Sequence, residues 1–277
     1  PLGVYVKERK DAHKLIEDYM LLANKKVAEF IAKKGKGKQK LTFVYRSHDS
    51  PKEDALLNFS QFALKFGYKI DISSGRETAR SLNFLMADVE GKKEQNVLTQ
   101  LAIRSMAKAI YTTKKHSHYG LAFDFYTHFT SPIRRFPDVM VHRLLELYLA
   151  GGKSVNEEEY EKMSLHSSQM EKKAADAERA SVKYKQAEYL EGNIGEEYKG
   201  IISGLTEWGM YVEIIENKCE GMVRLRDLTD DFYVLDEKNY CIIGQRRKKK
   251  FQLGDDVTIM VKKVDLSKRQ IDFSLVH

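Results

Sequence analysis

Two hydrophobic patterns divide this chain near residue 192. Before that point, apolar residues recur every three or four positions over long stretches, which predicts amphipathic helices. After it, residues 196–277 alternate short β-branched and aromatic runs with glycine turns, which predicts several short strands and a small barrel. We therefore expect an α+β protein with a mostly helical first domain, residues 1–192, and a β-barrel domain, residues 193–277.

The helical pattern is clearest in the two longest runs, residues 11–34 and 155–191. The second run has an apolar stripe rich in Ala and Ser without a clean heptad, which argues against a coiled coil. Pro137 stands at the start of DVMVHRLLELYLA, a position that proline favours in helices. The remaining predicted elements are a strand at 41–48 and helices at 51–67, 76–90 and 94–110.

Charge and cysteine content narrow the class of partner and the compartment. The net charge of +7 favours a polyanionic partner but does not distinguish nucleic acid from an acidic membrane surface. The excess lies in residues 1–195, with 33 Lys and Arg against 25 Asp and Glu, whereas residues 196–277 carry 14 against 15. Cys219 and Cys241 lack CxxC spacing, so we expect no disulfide framework and no zinc site, and we predict a reducing, cytoplasmic location. Because no apolar run approaches the roughly 18 residues that span a bilayer, we expect no membrane partner.

Candidate chemistry is concentrated in residues 118–143, HYGLAFDFYTHFTSPIRRFPDVMVHR. Two adjacent guanidinium groups, Arg134 and Arg135, lie between Pro132 and Pro137, which stiffen the backbone around them. A planar fork of donors held in this way suits bidentate binding of phosphate. An Arg–Arg pair on its own would be better explained as a solvated surface turn. The histidines of this stretch lack a tight metal-ligand spacing, so we assign no metal to them.

The string HFTSPIRR, followed by PD and VHR, resembles the ribonuclease II / ribonuclease R family of processive 3'→5' exoribonucleases. Matches at IEDYMLLANKKVAEF (16–30), IRSMAKAIYT (103–112) and DAERA (176–180) extend the resemblance. It implies that residues 1–192 are the C-terminal part of an RNB nuclease domain. The SPIRRFPD form and a basic insertion in the barrel region favour the ribonuclease R branch. The opening PLGVYVKERK is typical of the middle of a polypeptide, so we expect the domain to be truncated at its N-terminus.

The resemblance also implies a reaction and a division of the active site. The family holds the 3' end of single-stranded RNA in a deep channel, where metal-assisted water releases nucleoside 5'-monophosphates. Its Mg²⁺-binding aspartate cluster lies N-terminal to the matched region, and this chain contains no match to that cluster. We therefore expect this chain to hold no metal and no small-molecule cofactor, to bind RNA without hydrolysing it, and to be a monomer.

Within the nuclease part, the resemblance assigns roles to individual residues. Arg134 matches the arginine that neutralises phosphoryl charge in the transition state. Glu178 matches a glutamate facing the catalytic cavity, although a helix i,i+4 partner is an alternative. Arg135 is expected to contact a neighbouring phosphate or to brace the loop. Glu17 matches a carboxylate near the terminal ribose, unless it is a helix-surface acid or Asp18 is the matched position. The residues expected to line the channel are Tyr119, His128 and Phe129.

The segments YKGIISGLTEWGMYVEI, CEGMVRLRDL and LGDDVTIMVKKVDLSKRQIDFSL resemble the S1 RNA-binding domain, a five-stranded OB-type barrel. The resemblance implies that Trp208 and Tyr211 stack on bases, at roughly 1–3 kcal/mol per base. The alternative is that both are core aromatics. Arg224 occupies a position that is often histidine in the family, where it would stack on a base or bind phosphate. The residues expected to contact the RNA backbone before the last strand are Lys268 and Arg269.

The run QRRKKK, residues 245–250, carries five consecutive cations in the barrel region. It is either a solvated loop or a phosphate-binding segment. Two rival functions remain for the chain as a whole. One is a non-catalytic RNA-binding protein with an S1 barrel and a helical platform, and the other is an interaction scaffold whose long helix docks a partner.

Overall fold

The structure, a computed structural model, describes residues 1, 3–4, 8–35, 40–92, 94–237 and 239–276. Its helices are α1 (Asp11–Lys34), α2 (Glu53–Leu64), α3 (Gly75–Asp88), α4 (Gln95–Ser105), α5 (Phe136–Leu149) and α6 (Glu157–Glu191). Its strands are β1 (Tyr45–Ser47), β2 (Ile110–Thr112), β3 (Glu197–Thr206), β4 (Gly209–Ile214), β5 (Glu220–Arg224), β6 (Tyr233–Asp236), β7 (Cys241–Gly244), β8 (Lys250–Gln252), β9 (Asp256–Asp265) and β10 (Gln270–Leu275). None of the helices in these ranges is both long and apolar enough to cross a membrane.

The helical part contains a core built on the short β1–β2 ladder, in which Arg46 lies opposite Tyr111. Helices α1 and α5 supply apolar side chains that share this core with the segment before β1. The fully buried Tyr148 of α5 donates a 2.7 Å hydrogen bond to the Thr42 carbonyl oxygen. The buried residues of this core are Ala28, Ile31, Phe43, Val44, Tyr45, Tyr111, Met140, Val141, Leu144 and Tyr148. This packing fixes the segment between β2 and α5, which carries the two arginines.

The predicted helix over 94–110 is shorter in the structure. Helix α4 ends at Ser105, and Met106 adopts an extended conformation. Ile110 then enters β2, where the backbone pairs with β1 and the Tyr111 N–H donates to Ser168 Oγ of α6 at 2.9 Å. These long-range hydrogen bonds override the local helical pattern.

Helix α6 is buried only near its two ends. Ser164 and Ser167 pack against the helical part, while Ala187 and Leu190 belong to the core that includes the barrel. Between them, the apolar stripe seen in the sequence is largely exposed. With 35 residues, α6 is about 50 Å long at roughly 1.5 Å per residue and connects the two parts of the molecule.

The barrel is closed, with strand order β10-β5-β4-β3-β9, which confirms the predicted five-stranded barrel. Its strands alternate, so that Met210, Val212 and Ile214 of β4 are fully buried. At Gly221, a Cβ atom would lie only 2.6 Å from the Phe273 ring, so the close approach of β5 to the core requires glycine. A separate antiparallel sheet, β6-β7-β8, is inserted between β5 and β9.

Candidate functional site

The turn that carries the two arginines is organised by Asp138, in the first turn of α5. The Asp138 side chain is fully buried, and its Oδ2 accepts hydrogen bonds from the Ser131 N–H at 2.7 Å and the Arg135 guanidinium at 2.8 Å. Arg135 is thus in the position of a brace, one of its two predicted roles. Arg134 is exposed, and its guanidinium has no hydrogen bond or ion pair within the described part of the chain.

Arg134 and Glu178 line the same cleft, whose volume of about 710 Å³ is within the usual range of small-ligand sites. Arg135 lies in its wall, and α6 supplies the opposite side. A second carboxylate in the cleft, Glu171, accepts from Arg46 at 2.6 Å. The structure therefore brings together the two residues predicted to be catalytic.

An aromatic and histidine layer supports the wall of this cleft. The Arg46 guanidinium lies 4.5 Å from the Tyr111 ring centroid, and the Tyr111 hydroxyl lies 2.8 Å from His128 Nδ1. Burial, together with the positive charges of Arg135 and Arg46, lowers the pKa of His128 to about 3. His128 is consequently neutral near pH 7 and contacts the cleft through Tyr111 rather than lining it.

Asn24 of α1 holds the HFTS segment and was missed in the sequence. Its Oδ1 accepts from the backbone N–H groups of Phe129 at 2.9 Å and Thr130 at 3.2 Å, and its Nδ2 donates to the Tyr126 hydroxyl at 3.1 Å. His142 stacks on Phe129 with 4.0 Å between ring centroids and hydrogen-bonds to its carbonyl oxygen. A polar residue within the apolar pattern of the first predicted helix was the available signal.

Two other predicted residues do not line the Arg134 cleft. Tyr119 lies in a short 3₁₀ turn beside His48, and its hydroxyl is buried with no hydrogen-bond partner among the described residues. Burial raises the pKa of the Tyr119 hydroxyl. Glu17 lies on the exposed half of α1 in an ion pair with Arg9, which favours the helix-surface alternative for this residue.

A second cleft of about 510 Å³, a size typical of small binding sites, separates α6 from the barrel. Tyr211, Lys268 and Arg269 line its barrel side, so three predicted RNA-binding residues share one surface. The α6 side contributes two cations, Arg179 and Lys183, of which Arg179 pairs with Asp176 at 2.6 Å and Lys183 with Glu220 at 3.7 Å.

Trp208 and Arg224 lie in different environments. Trp208 occupies the turn between β3 and β4 with 71% of its surface exposed, so it is not a core residue. Arg224 is half-buried, and its NH2 group donates to both carboxylate oxygens of Asp272, at 2.8 and 3.0 Å. An arginine held in this way is less free to stack on a base than the sequence suggested.

The two clefts meet along α6. Glu178 lines the Arg134 cleft, and the next residue, Arg179, lines the barrel cleft. Consecutive helical residues point about 100° apart, so one helix forms a wall of both clefts.

The residues of the Arg134 cleft do not fit a Mg²⁺ centre. Magnesium prefers clustered carboxylate oxygens, and of the two carboxylates here Glu171 is already paired with Arg46. Across the ranges described above, no group of three or more His, Cys, Asp or Glu side chains could hold a metal ion.

Two segments of the chain match known protein domains. Residues 1–151 match the RNB domain, and residues 191–275 match the S1 RNA binding domain. The chain belongs to the ribonuclease II / ribonuclease R family. It is 38% identical over 284 residues to ribonuclease R of Aquifex aeolicus, covering 100% of this chain and 39% of that protein. It is 32% identical to ribonuclease R of Escherichia coli, covering 97% of this chain and 34% of the relative. The chain thus spans less than half the length of these ribonucleases.

Solved structures show the same fold. Apo ribonuclease R of Mycoplasma genitalium superimposes with a TM-score of 0.86 at 24% identity, covering 98% of this chain and 42% of that one. The same enzyme in complex with ribose-methylated single-stranded RNA gives a TM-score of 0.85 at the same coverage and identity. Yeast Ssd1, a pseudonuclease, gives 0.68 at 20% identity, covering 85% of this chain and 29% of that one. Because the fold occurs in a nuclease and in a pseudonuclease, the fold alone does not establish hydrolysis.

Proposed function

We propose that this chain is the C-terminal RNB portion and S1 barrel of a Mg²⁺-dependent 3'→5' exoribonuclease that acts on single-stranded RNA and releases nucleoside 5'-monophosphates. By itself the chain binds RNA and does not hydrolyse it. The observation that supports this most is the position of the Arg134 guanidinium, which has no ion pair or hydrogen bond among the described residues. It shares a cleft with Glu178 of α6, and the same helix also lines the barrel cleft. The proposal includes a domain boundary between residues 192 and 193, a monomeric state and a cytoplasmic location.

In this proposal the RNA strand is held first by the barrel. The exposed Trp208 and the half-buried Tyr211 offer ring faces to bases, and such stacking tolerates any base. Lys268 and Arg269 offer cations to the phosphates beside Tyr211. The strand then follows α6 towards the Arg134 cleft.

Arg134 acts on the phosphoryl group. Its guanidinium forms no ion pair with any described carboxylate, so it is available to neutralise the charge that develops on the phosphoryl oxygens, where electrostatic stabilisation contributes most to catalysis. The Arg135–Asp138 pair positions the turn that presents Arg134. The Mg²⁺ ligands would come from outside these 277 residues, since the two carboxylates of the cleft do not fit the ion.

Two measurements on the purified chain test this proposal. Fluorescence anisotropy with a labelled oligouridylate should show binding that weakens as salt rises. Incubation of the same RNA with Mg²⁺ should release no monophosphate. Monophosphate release from the pure chain would contradict the placement of the metal ligands, and salt-independent or absent RNA binding would favour the interaction scaffold.

A hybrid enzyme distinguishes a nuclease from a non-catalytic RNA-binding protein. The aligned segment of Aquifex aeolicus ribonuclease R, 38% identical over this whole chain, is replaced by the present sequence. We expect the hybrid to release monophosphates and to lose this activity on Arg134→Gln. A folded hybrid that binds RNA but releases none would support the non-catalytic alternative.

A further inference from the structure

Five exposed cations form the tip of the β7–β8 hairpin. We call residues 245–250 the basic hairpin, which carries Arg246, Arg247, Lys248, Lys249 and Lys250. Residues 196–277 hold 14 Lys and Arg against 15 Asp and Glu, so a third of the cations of this region lie in one turn of an otherwise acidic module. The excess of positive charge is therefore a property of this turn and not of the barrel region as a whole.

The tip of the basic hairpin is fixed by Asp231. Its carboxylate accepts from the backbone N–H groups of Phe232 at 2.7 Å, Arg246 at 3.0 Å and Arg247 at 2.6 Å. Partial desolvation opposes ionisation, but these hydrogen bonds prevail and lower the pKa of Asp231. At Gly244 a Cβ atom would lie 2.5 Å from Asp231 Oδ2, so glycine is required for this close contact. The carboxylate therefore binds the backbone of the hairpin and leaves its side chains pointing into solvent.

The cations of the basic hairpin are not held in ion pairs within the described part of the chain. None of the ion pairs formed by described residues involves positions 246–250. Lys249 lies over the Phe251 ring at 5.1 Å, and the nearby Asp230 accepts from the Tyr233 hydroxyl instead. One carboxylate, that of Asp231, lies at the base of five cations held close together. The cations therefore still repel one another, and a further anion would relieve that repulsion.

The sheet that carries the basic hairpin is docked rather than free. Tyr233, Ile242 and Phe251 are buried in the shared core, and Tyr240 packs edge-on against Phe62 of α2 with 4.8 Å between centroids. The hairpin also borders a different cleft from the one that Tyr211, Lys268 and Arg269 line. Lys250 borders a cleft with β3 and β9 residues, whereas Tyr211 and Lys268 border the cleft with α6.

We propose that the basic hairpin is a separate binding surface for the phosphate backbone of RNA, engaging a part of the strand that lies outside the two clefts. This rests on RNA being the partner of the chain, as proposed above. Because residues 245–250 contain no aromatic side chain on which a base could stack, the surface binds the charged phosphates and does not distinguish one base from another. It lengthens the contact with RNA without adding sequence preference.

Binding of a short and a long oligouridylate tests this surface. An RNA of about eight nucleotides covers one OB-type site, and one of about 30 nucleotides extends beyond it. Replacing Arg246, Arg247 and Lys248 by Gln should weaken binding of the long RNA about tenfold and reduce its log–log salt slope by about 2, at 0.7 per lost contact on a single strand. Affinity for the short RNA should stay within about twofold of that of the unmodified chain, a difference of about 0.4 kcal/mol.

Two control variants make the test decisive. Arg246→Lys with Arg247→Lys keeps the charge and should keep the salt slope. Three exposed lysines of the helical part, Lys33, Lys153 and Lys162, are replaced by Gln as a charge-matched control. This variant should change the salt slope of the long RNA less than the hairpin variant does. If the salt slope of the hairpin variant is unchanged and the short RNA still binds, the proposed role of the basic hairpin is wrong, and the proposed function of the chain is not affected. If the unmodified chain binds neither RNA, the proposed function is wrong as well.

Discussion

Arg135 donates a 2.8 Å hydrogen bond to the fully buried carboxylate of Asp138, three residues further along the chain. The same carboxylate oxygen accepts from the Ser131 N–H, so one buried charge closes the turn at both ends. Arg134, between them, is left pointing into the cleft with Glu178. The two adjacent arginines therefore lie in different environments, and separate variants can test whether their roles differ.

Asp138→Asn should destabilise the fold. The change removes the negative partner of a mostly buried guanidinium, and breaking such a pair typically costs about 3–5 kcal/mol. Because 18% of the Arg135 side chain is exposed, we expect the lower end of that range or slightly less. Urea unfolding measures the loss. Asp176→Asn breaks an exposed i,i+3 pair with Arg179 and should change the free energy of unfolding by less than about 0.5 kcal/mol. Equal effects in both variants would contradict a bracing role for Asp138.

Arg134→Gln should leave the free energy of unfolding within about 0.5 kcal/mol of that of the unmodified chain, as expected for an exposed residue that has no hydrogen bond or ion pair among the described residues. In the hybrid ribonuclease, the same change should lower the turnover number about 100- to 1,000-fold, the usual effect of removing one charge-stabilising donor. Arg135→Gln should show the opposite balance, with a clear loss of stability. A hybrid that tolerates Arg134→Gln with full turnover would remove Arg134 from the reaction.

The stability of the chain should fall in mild acid because of His128. Its pKa lies at about 3 in the folded state, against an ordinary value of 6.5. Between these values the unfolded chain binds a proton that the folded chain does not. Stability is therefore complete above about pH 6.5 and declines as the pH falls towards 3, by up to about 1.4 kcal/mol per pH unit.

Urea unfolding at several pH values between 7.5 and 4.5 checks this dependence on His128. His128→Gln should make the decline shallower, and His118, whose pKa burial and His48 lower to about 4, should account for part of the remainder. His166 is exposed on α6, so His166→Gln serves as the control and should not alter the decline. A decline that His128→Gln leaves unchanged would place its origin elsewhere.

Trp208→Ala should weaken RNA binding without affecting stability. The indole is 71% exposed, and one lost stacking contact corresponds to roughly 1–3 kcal/mol of binding free energy. Anisotropy with an oligouridylate measures the change. Phe84 on α3, 76% exposed, provides a control aromatic whose replacement by Ala should leave affinity unchanged. Similar losses from both variants would indicate nonspecific contact with exposed rings.

The elements that sequence patterns predicted well are those stabilised within themselves. Helices α1 and α6 lie within two residues of the predicted 11–34 and 155–191, since long periodic runs carry their own signal. Strand β2 was not predicted, and the helix predicted over 94–110 extended into its first residue, Ile110, because only the pairing with β1, more than 60 residues earlier, makes this segment a strand. Local pattern carries no information about such a partner.

The same limit applies to the candidate site. The motif strings located Arg134 and Glu178, and both line one cleft. Asn24 was missed because its partners, Phe129 and Thr130, lie more than 100 residues away. Arg224 appeared available for RNA until its bidentate contact with Asp272, 48 residues later, was visible. A role that a motif assigns to a single side chain can be predicted from the sequence, whereas a role that depends on a partner distant in the sequence cannot.

Helix α6 sets the relative orientation of its two surfaces, one lining the Arg134 cleft and the other lining the barrel cleft. Inserting a single residue between Glu171 and Lys183 would turn one surface by about 100° relative to the other. Only insertions near seven or eleven residues, which complete whole turns, would restore the alignment, and they would move the surfaces about 10–17 Å apart. Homologous chains that keep both surfaces should therefore conserve the length of this helix segment more strictly than its composition.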